Sequence, residues 1–131
     1  MSGPAVPAPA NPGIRMDAET VGDMVVVTLR EARLDATAAV AFRQRIAELT
    51  DGGARTLVLD MSAVEVVDPS GLGALISVRN ATRANAALAL CGLRPSAAAA
   101  FRLTRLDKLF RIFADPQEAR AALTERPGGA G

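Results

Sequence analysis

Hydrophobic residues along this chain come in blocks whose spacing switches repeatedly between that of a strand and that of a helix. Ile14 to Thr20 predicts a short edge strand, and the β-branched run Met24-Val25-Val26-Val27-Thr28-Leu29 predicts a second strand. Val21-Gly22-Asp23 between them suits a hairpin turn. Asp35 is then placed as an N-cap before Ala39, Phe42, Ile46 and Leu49, which recur at intervals of three and four and mark the buried stripe of a helix. Arg43, Gln44, Arg45 and Glu48 fill its wet side, and Asp51-Gly52-Gly53 ends it, glycine being suited to a left-handed C-cap. Thr56-Leu57-Val58-Leu59-Asp60 is apolar on successive residues, as a strand covered on both faces should be.

A further β-rich stretch, Val64 to Val67, leads into Asp68-Pro69-Ser70-Gly71. From there the spacing turns helical, with Leu72, Leu75, Ile76 and Val78 inward and Arg79, Asn80 and Arg83 outward. Ala86 to Cys91 predicts another central strand, Pro95-Ser96 opens an Ala-rich helix reaching about Leu103, and Leu109 to Phe113 predicts a last strand. Asp115-Pro116-Gln117-Glu118 supplies an N-cap, a proline at the first helical position and an early acid, which start a closing helix ending near Leu123. Strands alternating with helices imply a mostly parallel sheet with right-handed crossovers. Sites in such sheets form where the carboxyl ends of strands pass into helices. Asp68 to Ser70 lies at such a junction, and the turn before Asp35 is its candidate neighbour.

Composition narrows the chemistry. Half of the 131 residues are hydrophobic, enough for one domain, yet there are only four Phe and no Trp or Tyr. The core must be aliphatic, and little is available for stacking nucleic-acid bases. Fifteen basic against fourteen acidic residues, scattered along the chain, give a net charge of +1 and indicate no direct nucleic-acid partner. The absence of His removes the commonest general base and metal ligand, and the single Cys91 removes an internal disulfide and a cysteine metal site. No metal and no cofactor are expected, and Cys91 reads as a buried strand thiol.

No apolar stretch approaches the roughly 20 residues that cross a bilayer. Met1 to Pro12 lacks the basic start and hydrophobic block of a secretory signal, so a soluble, cytoplasmic protein without a membrane span is expected. Residues 1–13, with four Pro and two Gly, are expected to be a disordered tail. The domain is assigned to residues 14–125 and a frayed end to 126–131.

By spacing alone, Asp68-Pro69-Ser70-Gly71 is an ordinary helix start, since Asp, Pro, Ser and Gly all form turns and serine is a favoured N-cap. Ser70 lacks what a nucleophile needs. There is no His to accept its proton, the only lysine is Lys108, and neither Ser-x-x-Lys nor Gly-x-Ser-x-Gly occurs. Gly71-Leu72-Gly73 is too short for a phosphate-cradling loop, and no Gly-Lys-Ser/Thr follows it. A hydroxyl that is accessible but not activated suits modification by another enzyme. Phosphorylation there would add roughly 1.5–2 negative charges, tolerated by a helix N-terminus and repelled by Asp68 and by Asp35 if it is close. Ser62 and Ser77 are weaker candidates, one in turn chemistry and one in mid-helix.

The run from Leu59 to Gly73, with Asp68-Pro69-Ser70-Gly71-Leu72-Gly73 at its centre, resembles the signature of STAS domains, specifically bacterial anti-sigma factor antagonists. Ala32-Arg33-Leu34-Asp35 and Leu103 to Phe110 resemble two further segments of that family, and together the matches span Gly22 to Leu123. The resemblance implies an α/β STAS fold: a mixed, mostly parallel sheet of about four to five strands, with about four helices packed mainly on one face. It implies no catalysis by the chain itself. Ser70 would be phosphorylated by an anti-sigma factor serine kinase of the histidine-kinase-like ATPase fold and restored by a PP2C-type phosphatase. Unphosphorylated, the protein would bind that kinase and release the sigma factor. Asp35, Asp68, Pro69, Gly71, Leu72 and Gly73 would contact the partner. Pro69 departs from the small hydroxyl residue often found there, and Ala32 from the usual glycine. The same fold also serves as a stressosome scaffold or as a subunit of lipid-transport ABC systems, and that alternative stays open.

Overall fold

The computed structural model of the protein describes residues 14–22, 24–51, 55–82 and 87–124. Strands β1 (Met16–Val21) and β2 (Met24–Leu29) form the expected antiparallel hairpin, with Val21 opposite Met24. Gly22 turns the chain at φ 64°, a left-handed conformation that glycine adopts without the Cβ clash of other residues. A two-residue strand β3 (Arg33–Leu34) follows, then helix α1 (Ala36–Asp51), strand β4 (Thr56–Asp60), the two-residue strand β5 (Val66–Val67) and helix α2 (Pro69–Thr82). Strand β6 (Ala87–Cys91), helix α3 (Pro95–Leu103), a 3-10 turn at Leu106–Lys108, strand β7 (Arg111–Phe113) and helix α4 (Pro116–Thr124) complete the order.

Among the described residues the main sheet has five strands in the order β1-β2-β4-β6-β7, antiparallel only at β1–β2. Its central strands are apolar on consecutive residues because each face has a cover. Val25, Val27 and Leu29 of β2 and Leu57 and Leu59 of β4 face the core shared with α1, α2 and α3. The residues between them, Met24, Val26 and Val58, join Cys91 beneath Ala119 of α4. Among the described residues, three helices therefore lie on one face and only α4 covers the other.

Two expectations change in detail. The last strand begins at Arg111 rather than Leu109, because Leu106–Lys108 closes into a 3-10 turn and Leu109 follows outside the ladder. Arg79, expected to point outward, is half-buried and its Nε donates to the Leu109 carbonyl at 2.9 Å, tying α2 to that turn. The tail 1–13, Asp23, the Gly52-Gly53 stop, Arg83, Ala86 and the end 126–131 lie outside the described residues.

Candidate functional site

The β2–α1 and β4–α2 connections both leave the carboxyl end of the sheet and are stitched together there. β3 and β5 pair in parallel, Arg33 with Val66 and Leu34 with Val67. The ladder continues one bond further, the Asp68 amide donating to the Leu34 carbonyl at 3.2 Å. Asp35 and Asp68 are thus the next residues of two adjacent strands, whose backbones lie about 4.8 Å apart. Pairing aligns the starts of α1 and α2.

Each aspartate caps its own helix. The Asp35 carboxylate accepts from the amides of Thr37 at 3.1 Å and Ala38 at 3.4 Å. The Asp68 carboxylate accepts from the Gly71 amide at 2.9 Å, and its carbonyl accepts the first helical bond, from Leu72. The N-cap of α2 is Asp68 and not Ser70. Pro69 then occupies the first helical position, where a backbone N–H would have no intrahelical partner, so the donor that proline lacks is one the helix does not use.

Ser70 follows at the second helical position. It is exposed, and its hydroxyl has no hydrogen-bond partner among the described residues. Ser70 thus carries an exposed hydroxyl on a capped turn, where the starts of two helices are aligned by strand pairing. Ser62 lies in a turn where its backbone amide donates to Asp60 Oδ1 at 3.0 Å, and Ser77 is exposed midway along α2. Among the described residues no group of three Cys, Asp or Glu side chains could hold a metal, and no helix is long and apolar enough to cross a membrane.

The other positions expected to meet a partner divide by burial. Pro69 and Gly73 are exposed, and Asp35 and Asp68 are half-buried. Gly71 and Leu72 are buried and support the turn from within. A Cβ on Gly71 would lie 2.0 Å from the Leu34 carbonyl oxygen and 3.0 Å from Val67 Cγ1. Glycine is what lets α2 approach the β3–β5 pair. A Cβ on Gly73 would meet nothing within 4 Å, so the fold itself has no need of glycine there. The sequence marks Val64 to Val67 as β-rich but not its partner Arg33–Leu34, which is too short to show a period.

The Cys91 thiol lies at the carboxyl end of β6. Burial, then the charges of Asp60 and Asp115, raise its pKa from 9.0 to about 12, so it stays protonated and unreactive.

A five-stranded mixed sheet with paired strand-to-helix turns defines a small α/β domain, and residues 15–119 match the STAS domain family. The chain belongs to that family. It is similar to an anti-sigma factor antagonist from Mycobacterium paratuberculosis, with 26% identity over 83% of this chain and 92% of that one and a TM-score of 0.75. The anti-sigma factor antagonist SpoIIAA in its unphosphorylated form aligns at 23% identity over 85% and 97% of the two chains, TM-score 0.69. The Bacillus cell-fate determinant SpoIIAA in its phosphorylated form aligns at 21% over 83% and 99%, TM-score 0.62. The fold is also present in a much larger protein, the murine Slc26a9 anion transporter, at 20% identity over 79% of this chain and 18% of that one, TM-score 0.68.

Proposed function

We propose that the protein is an anti-sigma factor antagonist, a partner switch controlled by phosphorylation of Ser70. The observation that carries this reading is the exposed Ser70 hydroxyl, without a partner among the described residues, on the Asp68-capped turn held against the Asp35 turn by the β3–β5 ladder. Unphosphorylated, the surface made by Pro69, Ser70, Gly73 and the two aspartates binds an anti-sigma factor serine kinase and frees its sigma factor. A phosphoryl group at the second position of α2 is accommodated by the helix end, while the neighbouring carboxylates add to a sharply negative surface. The fold survives and the interface does not. A PP2C-type phosphatase resets the site, and the chain performs no catalysis of its own. Likeness to SpoIIAA, known in both phosphorylation states, supports the reading.

A regulatory STAS subunit that is never phosphorylated is the rival, suggested by the fold's presence in an anion transporter. The two separate in a binding experiment with a purified anti-sigma factor kinase of the histidine-kinase-like fold from the same genome. The antagonist reading expects Ser70→Asp to weaken binding at least ten-fold, with stability within about 1 kcal/mol of the parent, as for an exposed substitution. Equal binding by the parent and Ser70→Asp would favour the rival.

A further inference from the structure

The basic residues are not evenly spread along the chain. Between Arg102 and Ile112 stand Arg102, Arg105, Lys108 and Arg111 against the single acid Asp107, a local charge of +3 (4 − 1). The rest of the chain, with 15 − 4 = 11 basic and 14 − 1 = 13 acidic residues, carries −2. All four cations are exposed, and none has an ion pair among the described residues. The same segment holds three of the five exposed large hydrophobics among the described residues: Leu103 at 84% exposure, Leu109 at 43% and Ile112 at 36%.

The segment is firmly mounted. Phe101 and Phe110 pack edge to face with centroids 5.7 Å apart, and Leu106 is buried with them in the main core. Between these anchors Arg105 takes the left-handed φ of 64°, turning the chain sharply at the end of α3. The anchors account for the inward side. Of the four cations, Arg111 lies over the Phe113 ring at 5.5 Å from its centroid, while no ion pair or ring contact holds Arg102, Arg105 or Lys108 among the described residues.

We infer that this corner of the domain is a docking surface for an anionic lipid bilayer. Four exposed cations spaced three residues apart, on a helix end, a turn, a 3-10 turn and a strand, with only Arg111 seated on a ring, make a diffuse positive field rather than a fixed fork. That suits laterally mobile lipid headgroups better than the set carboxylates of a protein. Leu103 protrudes among them instead of lining a groove, so it meets the headgroup and acyl boundary as an inserting apolar side chain. Phosphate-backbone binding would leave this leucine in water.

Position adds a consequence. Arg79, which bonds to Leu109, lies nine residues beyond Ser70 on α2, about 13 Å along the helix axis. The basic corner and Ser70 therefore occupy opposite ends of the domain, and attachment to a bilayer leaves Ser70 facing the solvent.

Co-sedimentation of the full chain with phosphatidylglycerol–phosphatidylcholine vesicles, against pure phosphatidylcholine vesicles, tests this. Binding is expected on the anionic vesicles only and should weaken as salt is added. Leu103→Ser should lower partitioning about ten-fold, and Arg102→Ala and Lys108→Ala about five-fold each. Ser70→Asp should leave it unchanged. No binding to anionic vesicles, equal binding to neutral ones, or indifference to Leu103→Ser and to both charge removals overturns the inference. So does loss of vesicle binding in Ser70→Asp, which would place the contact at the other end. Each substituted side chain is exposed, and a thermal melt matching the parent verifies that the variants are folded.

Discussion

Two glycines separated by one residue carry opposite meanings at this site. Gly71 is a contact: its missing Cβ makes room for the Leu34 carbonyl. We expect Gly71→Ala to cost about 3 kcal/mol, because backbone rather than a flexible side chain must move to accept the methyl. Gly73 is exposed on the same helix with open space around it. Gly73→Ala should raise stability by up to about 1 kcal/mol, since glycine is the poorer helix former, and should weaken kinase binding if the partner approaches the bare backbone. Urea denaturation of both variants reads the sign directly, and equal destabilisation would contradict the assignment. Cys91 supplies a pH test. Folded, its thiol keeps its proton up to about pH 12, while the unfolded chain releases it near 9.0. Between these values the unfolded state binds fewer protons, so this group lowers stability as pH rises and contributes no slope below pH 9. A Cys91→Ala variant should lose less stability than the parent across that alkaline window. Parallel curves would show that the thiol is not held protonated.

At the scale of elements, α4 is the informative piece because, among the described residues, it alone covers its face of the sheet. Ala119 is fully buried against the side that carries Met24, Val26, Val58 and Cys91. Its helix starts with two side-chain caps, the Glu118 amide donating to the Asp115 carboxylate at 2.8 Å and the Glu118 carboxylate accepting from the Ala114 amide at 2.7 Å. Ala119→Arg should lift the helix and leave the other face packed. The measurable result is alkylation of Cys91 in a chain that still melts cooperatively. A thiol that stays unreactive, or a chain that no longer folds, would contradict that separation.

These elements also show what could be read in advance. β2 and β4 were legible because both faces of their strands are covered, which forces consecutive apolar residues. α1 was legible from its stripe, and α4 from its Asp-Pro start. The β3–β5 ladder was not, because the two residues of β3 carry no period, and neither was the demand for glycine at position 71, which depends on a backbone 37 residues away (71 − 34). The serine turn was visible as a helix start, but serine's preference for capping hid the division of labour. Asp68 caps, which leaves the Ser70 hydroxyl without a partner among the described residues.

For the whole molecule, the sheet separates two surfaces. The carboxyl ends of β2 and β4 hold the paired aspartates and Ser70, and the corner between α3 and β7 holds the four exposed cations. The central claim concerns the first surface. It is tested most directly by incubating the protein and its Ser70→Ala variant with the anti-sigma factor kinase and ATP and measuring intact masses. The account predicts a gain of one phosphoryl group in the parent and none in Ser70→Ala. No gain in the parent, or an equal gain in the variant through Ser62 or Ser77, would contradict it.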